Sequence, residues 1–378
     1  MMRLAELQTP CALIERSVLE RNVATMARRM AELGVSLRPH VKTHKCAEIA
    51  RRQGGFQGDA GGITVSTLAE ARFFAGHGFR DITWALPLDP ERLAAVAELQ
   101  RGLEGLHLLL DDPAVLAAVE AFGSAHGVRF SVFLEVDCGY HRSGVDPGLG
   151  EAFELARRLA ESPVVEFRGL LTHAGHAYRC QGAAELEAVA EEERSVTAGF
   201  AAELRAQGVP VPVVSVGSTP TMSRVRDLSG VDEVRPGNYV FYDLHQEAIG
   251  SCRRRDIALS VLATVVGCYP QSGRLVLNAG ALALSKDRGA EHVEGFRGYG
   301  ALLTADGSRV LDHLRLTGLS QEHGHVQSFP PERAAELPVG SRVRILPNHS
   351  CLTAALHEDY VVVDGDEVIE TWRPVRGW

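Results

Sequence analysis

From about residue 10 to about residue 245 the chain alternates between two hydrophobic rhythms. Short apolar or alternating runs have the pattern of strands. Each is followed by a longer stretch whose apolar residues recur every three to four positions, the pattern of an amphipathic helix. The strand-like runs cover residues 36–44, 62–67, 81–87, 105–112, 129–139, 166–175, 210–219 and 234–243. Helical stretches include 17–33, 47–53, 68–75, 90–101, 113–125, 149–161 and 183–206. Pro90 and Pro113 each follow an aspartate, Asp89 and Asp112, pairing an N-cap with a proline in the first turn. Eight strands alternating with helices over about 235 residues predict a (β/α)8 TIM barrel. Doubly wound open sheets also alternate, but no Gly-x-Gly-x-x-Gly turn follows the first strand.

After residue 250 helical periodicity becomes scarce. Strands are predicted at 258–269 and 274–279, joined by Pro270-Gln271-Ser272-Gly273, and at 310–316, 342–346, 360–363 and 368–372. Asp364-Gly365-Asp366 is a hairpin turn. The expected organisation is a barrel over residues 11–249 and a mostly β domain over residues 250–378.

Composition narrows the function classes. Of 378 residues 45% are hydrophobic and 23% charged, as in a soluble globular protein. The net charge of −9, without a basic cluster, argues against nucleic acid and anionic membranes. Apolar runs are of strand length, so no membrane span is expected. The N-terminus carries Glu6 and lacks an apolar core, unlike a signal peptide. Seven cysteines lie singly with no Cys-x-x-Cys, which points to a reducing cytoplasm.

Candidate chemistry gathers where strands end. In Arg38-Pro39-His40-Val41-Lys42-Thr43-His44-Lys45, strand alternation would put Arg38, His40, Lys42 and His44 on one face. Barrels do chemistry at the C-terminal ends of their strands, and a lysine there can form a Schiff base with a carbonyl cofactor. The ordinary alternative is a solvated loop lysine. After the seventh strand comes Gly217-Ser218-Thr219-Pro220, where Thr219 can cap a helix opened by Pro220. After the eighth comes Arg235-Pro236-Gly237-Asn238-Tyr239. Loops in these two slots frequently bind phosphate, although such clusters also mark plain turns. Arg142, in Asp137-Cys138-Gly139-Tyr140-His141-Arg142-Ser143-Gly144, can present a planar fork to an anionic oxygen, or be a surface arginine. His173, His176 and Tyr178 together suggest a polar pocket wall after the sixth strand. In Pro347-Asn348-His349-Ser350-Cys351, a strand would point His349 and Cys351 the same way. An imidazole and a thiolate suit zinc and leave positions open for substrate; a buried cysteine beside a turn histidine is the plain alternative. Glu322 and His323 could support such a site from Ser320-Gln321-Glu322-His323-Gly324-His325.

Taken in order, these segments resemble fold-type III pyridoxal-phosphate enzymes of the D-serine dehydratase and D-threonine aldolase group, relatives of alanine racemase. The resemblance starts at Leu7-Gln8-Thr9-Pro10 and runs almost the whole chain. It implies an alanine racemase-like barrel with pyridoxal 5'-phosphate held covalently by Lys42, the catalytic base. Arg142, His173, Tyr178, Gly217, Ser218, Thr219, Gly237, Asn238 and Tyr239 would surround the cofactor. Arg235 takes the place of the racemases' pyridine-nitrogen arginine. Residues 1–10 would join the β domain, and the protein would be a homodimer. His349-x-Cys351 matches the zinc pair of the dehydratase members, where the aldolases carry His-x-Asp. The implied reaction is β-elimination from a D-3-hydroxy amino acid, D-serine or D-threo-3-hydroxyaspartate, to a 2-oxo acid and ammonia. The alternative is retro-aldol cleavage to glycine and an aldehyde, with His173 or His176 as base; a non-catalytic cofactor carrier is a third.

Overall fold

The computed structural model describes residues 2–55, 61–327 and 329–378, the side chain of His313 excepted. Two compact units divide the chain: Thr25–Gly237 with Gly377–Trp378, and Met1–Ala24 with Asn238–Arg376.

The first unit is the expected barrel. Its strands are Ser36–Leu37, Ile63–Val65, Asp81–Pro87, Gly105–Leu110, Phe130–Val136, Val165–Thr172, Val213–Val216 and Glu233–Val234. They form one eight-stranded sheet in which consecutive strands are neighbours and the first pairs with the eighth. All its ladder pairings are parallel. A parallel bridge from His40 to Thr64 joins the first connection to the second strand and completes the ring. Parallel strands covered by helices are buried on both faces, hence the near-continuous apolar runs of strands four and five. Asp89 and Asp112 accept from Glu91 and Ala114 N–H groups, as their cap-and-proline pattern predicts.

The first strand departs from expectation. Ladder pairing stops at Leu37, and Val41–Thr43 is a 3-10 turn. Pro39 has no N–H to donate. Its carbonyl still accepts from Thr64 N at 2.9 Å. Lys42 therefore does not share a strand face with Arg38, His40 and His44.

At the N-terminal ends of the strands the buried charges pair with one another. Arg38 donates through Nε to Glu233 (2.8 Å) and through both terminal nitrogens to Asp81 (2.9 and 2.8 Å). His107 bridges Asp81 (2.9 Å) and Ser131 (2.8 Å). Gly62 makes room for the guanidinium, since a Cβ there would lie 1.9 Å from Arg38 Nη1.

The second unit is mostly β. Leu259–Tyr269, Arg274–Leu277, Gly324–Gln327, Val310–Leu319, Gly300–Thr304 and Arg342–Pro347 pair in that order and close on themselves. Inside lies an apolar core that includes Val261, Leu277, Leu302, Leu316, Phe329 and Ile345. Cys11–Glu15 pairs antiparallel with Leu259–Tyr269 and parallel with Tyr360–Asp364, so an N-terminal strand belongs to this sheet. Gly300–Thr304 and Gly324–Gln327 were not among the expected strands; each is short and flanked by glycine-rich sequence.

Candidate active site

Lys42 lies in the 3-10 turn after the first barrel strand and is exposed, while its neighbours Val41 and Thr43 are buried. The turn is closed by Lys45, which adopts a φ of 51°. Lys45 Nζ meets the fully buried Glu70 at 2.9 Å, and Glu70 also accepts from Ser66 N at 2.8 Å. A carboxylate without solvent thus fixes the end of the segment that carries Lys42. Behind it, His44 is enclosed by Gln53 (3.1 Å) and Cys46 N (3.0 Å). Burial pulls the His44 pKa down to about 3. It is a structural residue, not a site member.

The lysine's surroundings combine cations and imidazoles, with the carboxylates of Glu135 and Glu193 acting on Arg235. His40 and His173 are both held well below the ordinary histidine pKa, first by burial and then by Lys42; Arg235 acts on both and Arg142 on His173. These groups therefore converge in space, and the two imidazoles stay neutral. His40 Nδ1 has no hydrogen-bond partner. Arg235, only 5% exposed, donates to Ser215 Oγ, Val216 O (3.3 Å) and Thr172 O, which ties it to the ends of strands six and seven. Desolvation lowers even its pKa to about 10. Arg142 sits 3.9 Å from Glu135 and 5.4 Å from the Tyr140 ring centroid. That ring meets His173 edge-on at 6.2 Å. Gly175 admits it: a Cβ there would lie 2.2 Å from Tyr140 Cε1. Tyr178 ends up half-buried in the 3-10 turn Gly175–Arg179.

The two glycine loops are arranged differently from expectation. Ser218, not Thr219, caps the six-residue helix Thr219–Arg224, in a reciprocal box with Thr221. Gly217 N donates to Glu193 Oε1 (3.0 Å) and Ser218 N to Thr221 Oγ1 (3.0 Å), so neither amide is free for a phosphate. The Thr219 hydroxyl accepts from Gly237 N at 3.2 Å, which links the loops of strands seven and eight. Gly237 is required there, since a Cβ would lie 2.5 Å from His40 O.

In the second unit, the strand Arg342–Pro347 ends before His349, which is the N-cap residue of the helix Ser350–Ala355. Strand alternation therefore does not relate His349 and Cys351. The helix start does, and the Cys351 thiol is a hydrogen-bond partner of the imidazole. On the other side of the ring, Nδ1 meets Asp287 Oδ2 at 2.9 Å. Asp287 is held below the usual carboxylate range, chiefly by that contact. The Asn238 amide donates to Asp243 (2.9 Å), Ser350 Oγ (2.9 Å) and Cys351 Sγ (3.5 Å). Asp243 also accepts from Ser350 N at 3.0 Å. Among the described residues no group of three or more His, Cys, Asp or Glu converges on a metal position. The donor set is one imidazole and one thiol with a carboxylate behind the imidazole. That fits an open zinc site, the carboxylate fixing which ring nitrogen faces the metal.

Family models match in sequence order: an alanine racemase N-terminal domain over residues 14–245 and a putative serine dehydratase domain over residues 258–363. The chain belongs to this family of pyridoxal-phosphate enzymes. Among its members, D-threo-3-hydroxyaspartate dehydratase of Delftia sp. (strain HT23) is 41% identical, with 99% of each chain covered. D-Serine dehydratase of Dictyostelium discoideum is 38% identical, with 98% of each covered. The solved structure of the Delftia enzyme superposes with a TM-score of 0.94 over 100% of each chain, at 40% identity. A variant of the same family member was solved in a metal-free form.

Within this family's two-part chain, the residues singled out from sequence fall into separate groups. Lys42, Arg142 and His173 come together at the barrel end. The Asn238 side chain belongs instead to the His349–Cys351 group, and Tyr239 is fully buried. His323 and His325 line a cavity with Tyr269 and Arg274, and His325 bonds Ser320 at 2.9 Å. The carboxylate that supports His349 is Asp287, not Glu322. Sequence reading missed Asp287 and Glu193. For Glu193 a signal exists: it occupies an inward position on the stripe Leu186, Ala190, Thr197, Phe200, Leu204, where a carboxylate is out of place.

Proposed function

We propose that this protein is a pyridoxal-phosphate and zinc-dependent ammonia-lyase that eliminates water from a D-3-hydroxy amino acid. Substrates are of the class of D-threo-3-hydroxyaspartate and D-serine, and products are a 2-oxo acid and ammonia. One observation carries the reading: an exposed lysine amid arginines and neutral histidines at the barrel's catalytic end, in a chain that also carries a His349–Cys351 pair. Full-length likeness to two dehydratases supports it.

Lys42 Nζ would hold the cofactor and, when free of it, would take the Cα proton of the substrate. When bound, the cofactor supplies an electron sink for the pair left at Cα. His349 and Cys351 would hold the metal, which would supply Lewis acidity toward the leaving hydroxyl. Arg142 offers its fork to an anionic oxygen, and His173 and Tyr178 line the same end. The loops of Gly217, Ser218, Thr219 and Gly237 would receive the phosphate. Asp287 keeps the His349 ring oriented. Neutral His40 and His173 add no positive charge to the site at neutral pH.

The test is product analysis on D-serine, D-threo-3-hydroxyaspartate and D-threonine with cofactor and zinc supplied. A 2-oxo acid and ammonia are expected in equal amounts. Glycine and an aldehyde as main products would show an aldolase, and cofactor uptake without turnover would show a carrier; either result overturns the reading. The assembly belongs to the same proposal: a cytoplasmic homodimer, checked by light scattering and by localisation of the tagged protein. None of the seven cysteines is in a disulfide. Among the described residues no helix is long and apolar enough to cross a membrane.

A further inference from the structure

Glu193 lies on the helix Ala183–Ala206 and is fully buried. One of its oxygens, Oε1, accepts from two loops: Ala174 N at 3.0 Å and Gly217 N at 3.0 Å. Ala174 follows His173 at the end of the sixth strand, and Gly217 opens the loop after the seventh. Both amides are buried, so water cannot replace the carboxylate as acceptor. Gly217 has a φ of 102°, and a Cβ there would lie 3.0 Å from Met222 Cγ, so a side chain is disfavoured at that point. Its other oxygen, Oε2, is buried without a hydrogen-bond partner. Burial pushes the carboxyl pKa up, and the two amides together with Thr221 oppose that push.

We propose that Glu193 is a positioning residue for cofactor binding: a single buried oxygen that sets the spacing between the His173 loop and the Gly217–Thr219 loop. It touches neither cofactor nor substrate and acts through the two loops. The proposal rests on the reading that these loops receive pyridoxal phosphate. It makes reach, not charge, the decisive property. Glutamine presents the same oxygen at the same distance and can accept both N–H groups. Aspartate keeps the charge but is one methylene shorter, so its oxygen cannot serve both amides.

Glu193→Gln and Glu193→Asp, each freed of cofactor, are titrated with pyridoxal phosphate by absorbance, with thermal melting of the cofactor-free proteins alongside. The expected result is a cofactor Kd for Glu193→Gln within about threefold of the parent and for Glu193→Asp raised about tenfold or more. Melting of the two cofactor-free variants should differ far less than their affinities. The reverse order would assign the effect to charge and overturn the proposal. Equal affinities in parent and both variants, equal losses in both, or a loss that merely follows melting temperature would also overturn it. If the parent protein takes up no cofactor, the functional reading fails instead, which keeps the two failures apart.

Discussion

The two ends of the barrel treat buried charge in opposite ways. At the N-terminal end of the strands Arg38 stands between Glu233 and Asp81, and Asp81 passes on to His107 and Ser131. Arg38, Asp81, Glu233 and His107 each have an opposite charge or a hydrogen-bonding partner there. At the C-terminal end Lys42, Arg142 and Arg235 crowd around two histidines that burial and those cations keep neutral, and His40 Nδ1 is left without a partner. A fully paired network holds a fold. A buried polar atom left unused beside cations is held by the fold, at a cost, and has a ligand as its natural complement. The second unit also leaves a buried polar atom unused. The Asn348 Nδ2 donates to Asp287 O and Gly298 O while its Oδ1 is buried without a partner, and the adjacent His349 keeps one ring side on Asp287 and turns the other to Cys351.

The largest effect that would sharpen this contrast comes from Lys42→Ala. The side chain is exposed, so the melting temperature should stay unchanged while elimination falls at least about a thousandfold and the cofactor's imine absorbance disappears. A variant that kept that band would place the covalent link on another residue. Arg38→Met should do the reverse. It strands Glu233 and Asp81 and should cost about 3–5 kcal/mol in urea unfolding. Cofactor affinity, measured below the unfolding transition, should change little; a larger change in affinity than in stability would break the distinction between the ends.

Asp287→Ala should weaken zinc binding by about 10–100-fold. Competition with a colorimetric chelator would measure it, and an unchanged zinc affinity would remove the carboxylate from the site. The smallest effect is on pH dependence. His40, His44 and His173 stay unprotonated in the folded protein, while in the unfolded chain they take up protons below a pKa of about 6.5. Unfolded molecules therefore bind more protons as pH falls, and stability declines below about pH 6.5, by at most about 1.4 kcal/mol per pH unit for each histidine. Urea unfolding at pH 5, 6 and 7 checks the sign. His44→Gln should flatten the slope by one histidine's share, and a slope that it leaves untouched would mean that His44 is charged when folded.

Much of the fold was legible because hydrophobic period is a local property. The eight strands and most helices lie where the pattern places them, and the change of rhythm after residue 250 marks a β unit. Misreadings came where local pattern and tertiary pairing disagree. Residues 36–44 have strand-like composition, yet Pro39 withdraws a donor and the chain turns into 3-10 geometry. Residues 347–353 also read as extended, but a helix starts at Ser350 and brings His349 to Cys351. The cap expected at Thr219 falls to Ser218 because Thr221 reciprocates with it. In each case a hydrogen bond outside the alternating pattern decided the outcome.

By itself the sequence determined the barrel, the β unit and the identity of the lysine, histidine and cysteine that stand out. Apolar periodicity and the short motifs around these residues are written within a few positions of one another. The tertiary structure alone decided the rest. Asp287 meets His349 across 62 positions, Glu193 holds Gly217 across 24, and Arg38 reaches Glu233 across 195. Partners so far apart leave no local periodicity to read, and they meet only because burial obliges every charged or polar group to find a partner wherever the folded chain offers one.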